Sequence, residues 1–341
     1  MEYGGPFHSW IREGWGEVEM IFAVLVASFL GSFVTVPVLI LRLRRAGIVG
    51  RDMHKPDQPE IPEMGGLALV AGFGAGILLA IAMETFWPNL LSIDLTVLLA
   101  VLCTVLLTTM IGILDDLMGM RQWVKALLPL VAALPLVAVR AGVSTMRIPF
   151  VGTVDFGPFY ALILVPIGVT GAANAVNMLA GFNGLEVGMG LVAMGSLAVI
   201  AASLGATTSL ILLLAGIGAL LGVLYFNWYP AKVFVGDVGT LSIGAIIAAA
   251  VIVGNFETAG VIVIIPYAVD FLLKAMHGFP SKGWWGKLGK DGKLRCPDHG
   301  PVGLCQLIMK LAGGIHERTL VLVLMGIEAV FGVLAIVLYG M

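Results

Sequence analysis

The chain has 341 residues, 59% of them hydrophobic and only 12% charged, with a mean hydropathy of +1.03. That balance excludes a stand-alone soluble domain and places the chain among polytopic membrane proteins. A formal net charge of −2 gives no basic footprint for nucleic acid, and three cysteines (Cys103, Cys296, Cys305) form no disulfide framework.

Taken in order, apolar runs near the length needed to cross a bilayer are expected at 18–41, 65–86, 95–114, 123–140, 159–179, 187–204, 208–226, 239–255, 259–278 and 318–340. The first lacks a convincing cleavage site and is expected to be a retained span. When the connectors are assigned alternately to two sides, one side takes 42–64, 115–122, 180–186, 227–238 and 279–317. All but three of the 19 Lys and Arg residues go with it; Arg12, Arg140 and Arg147 go to the other. The positive-inside rule makes the first side cytoplasmic and puts both termini outside. The expected fold is therefore an all-α polytopic integral membrane protein: ten transmembrane helices in a single domain, 1–341.

The first cytoplasmic connector runs from Arg51 to Gly66 and holds Pro56, Pro59 and Pro62. Proline fixes an extended, irregular path, so this is either a stiff connector or a pocket wall containing Glu63. Two glycine clusters, Gly72/Gly74/Gly76 and Gly216/Gly218/Gly222, suit close helix packing. The small-xxx-small spacing of Gly218 and Gly222 also allows a homodimer face.

The third run ends in Asp115-Asp116, followed by Arg121 and Lys125. Charges are costly inside a membrane, so those at the end of a span are either solvated or functional. Adjacent carboxylates at a membrane surface suit a metal-assisted phosphate site. On the outer side, 143–157 alternates apolar and polar residues and predicts a small β-hairpin.

The fifth run ends in a stretch dense with amides and glycines, Asn174-Ala175-Val176-Asn177-Met178-Leu179-Ala180-Gly181-Phe182-Asn183-Gly184-Leu185-Glu186. Asn174 and Asn177 share a helical face, and amides in a membrane helix need partners. Those partners are either a neighbouring helix or a ligand. Asp237, between Gly236 and Gly239, either caps a helix or holds a divalent cation. Asp270 and Lys274 are spaced for an ion pair. The last connector is basic, carries Trp284 and Trp285, and places His299 in a Pro-bounded turn. Glu328 is an isolated acid inside the last span.

Together these stretches resemble the polyprenyl-phosphate N-acetylhexosamine-1-phosphate transferase family. The resemblance rests on Asp115-Asp116…Gly119…Arg121…Lys125…Pro129, on 174–188, on Val233-Phe234-Val235-Gly236-Asp237 and on Ile61-Pro62-Glu63. It covers nearly the whole chain and points to the eukaryotic and archaeal UDP-GlcNAc:dolichyl-phosphate branch. Bacterial relatives usually carry aspartates at the positions of Ala180 and Asn183.

The resemblance implies transfer of GlcNAc-1-phosphate from a UDP-sugar to a polyprenyl phosphate at the cytoplasmic face of an archaeal cell membrane or an endoplasmic reticulum membrane, with release of UMP. It implies Mg²⁺, or Mn²⁺, on Asp237 and Asn177. Asp115, Asp116 and Lys125 are the implied catalytic residues. Glu63, Asn174, Asn183, Glu186 and His299 are the implied substrate contacts, and 279–317 is the implied loop near the sugar. One departure stands out: the eukaryotic pattern has Arg-His-Arg where this chain has Asp298-His299-Gly300. The competing class is a transporter, which keeps ionisable groups near the midplane on broken helices rather than at one face.

Overall fold

The computed structural model describes residues 16–88, 91, 93–148, 151–279 and 285–339. Arg12, Lys282 and Trp284 lie outside them. The molecule is a helical bundle. Its long helices are α1 (Glu17–Arg45), α2 (Gly66–Phe86), α3 (Leu95–Met118), α7 (Val165–Leu179), α8 (Leu185–Ser203), α9 (Thr207–Asn227), α10 (Gly236–Gly254), α11 (Glu257–Met276) and α13 (Glu317–Tyr339). Short helices α4 (Gln122–Leu127), α5 (Pro129–Ala132) and α6 (Leu134–Ala138) follow α3, and α12 (Leu304–Leu311) precedes α13. Among the described residues, nine helices are long and apolar enough to cross a membrane.

The expected span 123–140 is different. It is an apolar stretch, Gln122–Ala138, broken into α4, α5 and α6. Pro129 and Pro135 stand at the starts of α5 and α6, where the missing N–H and the fixed φ interrupt a continuous helix. The stretch still runs the length of α10. Lys125 pairs with Asp237 at the first turn of α10, and Val143 N donates to Asn255 Oδ1 at its far end, at 2.6 Å.

α10 is the axis of the bundle: 83% of its apolar window is buried, against 22% for α1. It packs on α7, α3, α9 and α2. Of the glycines expected to serve packing, Gly72, Gly76, Gly216, Gly218 and Gly222 do so within the chain, and Gly74 has open space at its Cβ position. A Cβ on Gly218 would lie 2.2 Å from Leu25 O, and one on Gly222 2.7 Å from Phe29 O. The stripe suggested as a homodimer face is thus occupied by α1 of the same chain, because two backbones approach too closely there for any side chain.

Three small antiparallel hairpins decorate the ends. β1 (Val49–Arg51) pairs with β2 (Glu60–Pro62), β3 (Thr145–Ile148) with β4 (Gly152–Asp155), and β5 (Lys287–Leu288) with β6 (Leu294–Arg295). The β3–β4 pair is the hairpin expected in 143–157. The Asp270–Lys274 ion pair also forms, at 2.8 Å. Asp270 Oδ1 accepts from Leu304 N at 2.7 Å, and Lys274 donates to Met178 O, so the pair ties α11 to α12 and α7.

Candidate active site

The site is assembled where two loops zip together beside α10. Phe234 N donates to Pro62 O at 2.8 Å, Gly65 N to Phe234 O at 2.8 Å and Gly66 N to Val235 O at 2.9 Å. This brings Glu63 next to the first turn of α10. Gly236 starts that helix with φ at +67°, and a Cβ there would meet Asp116 Oδ2 at 2.5 Å. Only glycine satisfies both conditions.

The two adjacent aspartates do different work. Asp116 Oδ1 accepts from Asp237 N at 2.9 Å, and its Oδ2 from Val238 N at 3.2 Å. Asp116 thus caps the N-terminus of α10 from a neighbouring helix, which satisfies orphan donors and sets a negative charge against the positive end of the dipole. Each oxygen accepts one backbone bond, and the residue also lines the cavity at this site. Asp115 Oδ1 accepts from Met120 N at 2.6 Å, and its Oδ2 lies 2.7 Å from Lys125 Nζ. Lys125 also pairs with Asp237. Asn177 Nδ2 donates to Asp237 Oδ1 at 2.6 Å and to Thr240 Oγ1 at 2.7 Å.

Asp116, Lys125, Asn177, Asp237 and Thr240 line a cavity of about 1090 Å³. That exceeds the upper range for a single drug-sized ligand, about 1000 Å³. Its wall includes Glu63, Asp116, Lys125, Asn174, Asn177, Asn183, Glu186 and Asp237. Apolar side chains line it too, among them Trp123, Leu127, Leu130, Ile167, Phe271 and Phe279. Of these, Trp123 is 63% and Ile167 56% exposed on the flank of the bundle.

Burial pushes the Glu63 carboxyl above its ordinary range, and the charge of Asp237 adds to that. Asp115 and Asp237 flank Lys125, while Asp116 sits against the N-terminus of α10 and Glu63 within the field of Asp237. The donor set, carboxylates and one amide, is hard oxygen chemistry that fits Mg²⁺ or Mn²⁺.

Other expected contacts are already engaged in the fold. Asn174 Nδ2 donates to Thr170 O and to Ala126 O, each at 2.9 Å, the latter a carbonyl just before the Pro129 break. Asn183 donates through Nδ2 to Asp52 Oδ2 at 3.1 Å and accepts at Oδ1 from Ala231 N at 2.7 Å. Glu186 Oε1 accepts from Gly181 N at 2.7 Å, and its buried Oε2 has no hydrogen-bond partner among the described residues. His299 is exposed and bonds through Nδ1 to Gly300 O at 2.9 Å. It is not on the cavity wall; Trp285, from the same connector, is.

Sequence reasoning passed over Arg51, Trp123 and Phe234, all of which line the cavity. Trp123 lies two residues from Lys125, and on a helix beginning at Gln122 it could have been placed beside the site.

The sequence model of glycosyl transferase family 4 matches residues 98–255, the segment from α3 to α10. A Saccharolobus solfataricus protein is 39% identical over 93% of this chain and 96% of its own; it is named a putative UDP-N-acetylglucosamine–dolichyl-phosphate N-acetylglucosaminephosphotransferase. A Sulfolobus acidocaldarius protein of the same name is 34% identical over 93% of this chain and 95% of its own. The Dictyostelium discoideum UDP-N-acetylglucosamine–dolichyl-phosphate N-acetylglucosaminephosphotransferase is 28% identical over 75% of this chain and 68% of its own. With the acidic cluster, the amide-rich turn and the near full-length match in agreement, the chain belongs to glycosyl transferase family 4, among the polyprenyl-phosphate N-acetylhexosamine-1-phosphate transferases.

Proposed function

We propose that this protein transfers GlcNAc-1-phosphate from UDP-GlcNAc to a dolichyl-type polyprenyl phosphate and releases UMP, the first step of a lipid-linked glycan. The observation that carries this reading is the mixed lining of the cavity: its charged and amide groups suit phosphates, and its apolar side chains, with Trp123 and Ile167 exposed, suit a lipid tail. A transporter would need its ionisable groups near the midplane, and no feature of this cavity favours one.

In the reaction an oxygen of the acceptor phosphate attacks the sugar-bearing phosphorus of the donor. The bond from that phosphorus to the bridging oxygen breaks, and the electron pair leaves on UMP. A phosphate monoester with a second pKa near 6 is mostly dianionic at neutral pH, so no base is required. Lys125 holds phosphate charge as a point cation, and Asp115 holds Lys125 in place. Asp116 fixes the turn that carries Asp237. Asp237 and Asn177, with Asp115 at hand, would hold a divalent cation, which would supply Lewis-acid polarisation of the diphosphate.

Gln122–Ala138 counts as a tenth crossing in this reading, because it connects opposite ends of α10. The site then faces the cytoplasm, and both termini lie outside, as the charge asymmetry requires. The decisive experiment uses purified protein in detergent with labelled UDP-GlcNAc, dolichyl phosphate and Mg²⁺. UMP release is expected, and Asp237→Ala should lower it by at least about 100-fold. Release that persists in Asp237→Ala, or fails with every UDP-sugar, would refute the proposal.

A further inference from the structure

A second charged cluster lies buried beside the cavity, away from the Asp115–Lys125–Asp237 group. Asp52 is 3% exposed and Glu317 5%. Lys55 Nζ lies 2.5 Å from Glu317 Oε2 and 3.2 Å from Asp52 Oδ2, and sits 4.1 Å from the centre of the Tyr229 ring. His54 stacks on Phe182 at 4.4 Å between ring centres. Asp52, His54 and Glu317 bring ligand-type atoms within 4.8 Å of one another. The ammonium of Lys55 already pairs with both carboxylates, so the cluster has its own cation and needs no metal.

What the cluster holds is the loop before α8. Asn183 N donates to Glu317 Oε1 at 2.9 Å and its Nδ2 to Asp52 Oδ2 at 3.1 Å, while its Oδ1 accepts from Ala231 N at 2.7 Å. Three segments distant in sequence thus converge on one asparagine, and Gly181, Phe182 and Asn183 form part of the cavity wall.

We propose that Lys55, Asp52 and Glu317 are positioning residues: a buried ion-pair knot that sets the 181–183 wall for the nucleotide-sugar donor. The donor half of this inference rests on the transferase reading above. A buried ion pair adds little net stability over an apolar substitute, yet removing one partner strands the other charge. Removing Lys55 strands both Asp52 and Glu317 and so disturbs the loop, and neutralising all three residues together restores it.

Two measurements test the knot. In Lys55→Met, amide hydrogen exchange over 180–184 is expected to accelerate at least about tenfold, with α10 unchanged. The donor KM is expected to rise about tenfold, with kcat and the acceptor KM within about threefold of the unaltered protein. Lys55→Arg and the triple variant Asp52→Asn/Lys55→Met/Glu317→Gln should stay within about threefold on both readouts. These two also carry the test if Lys55→Met fails to fold. Unchanged exchange in folded Lys55→Met overturns the inference. So does faster exchange accompanied by equal losses for donor and acceptor, which would mark a general structural role. If the unaltered protein turns over no UDP-sugar, the transferase reading falls, while the exchange arm still decides whether the knot holds the loop.

Discussion

Lys125 lies between Asp115 and Asp237, and their charges depend on it. Lys125→Ala leaves two partly buried carboxylates facing each other and removes the cation expected to meet phosphate. Turnover should fall by at least about 100-fold, measured as label transferred from UDP-GlcNAc to lipid. Asp116→Ala tests a different role. It strips the cap from α10 and should cost about 1–2 kcal/mol of stability, read as a lower melting midpoint in detergent. Its effect on turnover should come through the displacement of Asp237. Asp115-Asp116 could be read from sequence as a site. Their division of labour could not, because it depends on which carboxylate points at the N-terminus of a helix some 120 residues away.

His54 makes a residue-scale prediction about pH. Burial, partly offset by Asp52 and reinforced by Lys55, lowers its pKa from 6.5 to about 4. Between those values the unfolded chain binds the proton and the folded chain does not, so stability falls as pH drops from about 6.5 to about 4. The loss attributable to His54 is at most about 3 kcal/mol. A melting series over that range should show acid weakening that is reduced in His54→Phe. Glu63, whose carboxyl is shifted upward, acts in the opposite direction and is common to both proteins.

At the scale of elements, α10 and its neighbours are specified by small residues. Gly222→Leu should prevent α9 from closing on α1 and leave little monodisperse protein on size exclusion, because overpacking alone costs about 1–3 kcal/mol. Gly74→Leu, with nothing near its Cβ position, should purify like the unaltered protein. Composition marked both as packing glycines, and only the neighbouring helices distinguish them. Hydropathy located the long spans but not the break in Gln122–Ala138. Pro129 and Pro135 were visible in the sequence; that they cut the segment into three while it still runs the length of α10 was not.

At the scale of the whole molecule, donor and acceptor approach from different phases. Trp123→Ala should raise the acceptor KM by about tenfold and leave the donor KM within about twofold, since Trp123 belongs to the apolar lining. Sidedness is testable in oriented vesicles. A cysteine at exposed Asp57 should react with a membrane-impermeant maleimide only from the cytoplasmic side, and one at exposed Thr153 only from the other. Label at both positions from one side would break the topology.

The sequence by itself determined the solvent, the approximate spans, the sidedness expectation and the chemistry-bearing stretches. Hydropathy, charge asymmetry and local motif spacing are properties of contiguous residues. Only the tertiary structure decided that Asp116 is a helix cap, that Asn174 and Asn183 spend their amide N–H groups within the fold, and that His299 stands off the cavity wall. It also joined Lys55 to Glu317 across the bundle and set Lys125 between Asp115 and Asp237. Those assignments depend on which helices touch, and the pairing of helices is a property of the packed core that no local pattern encodes.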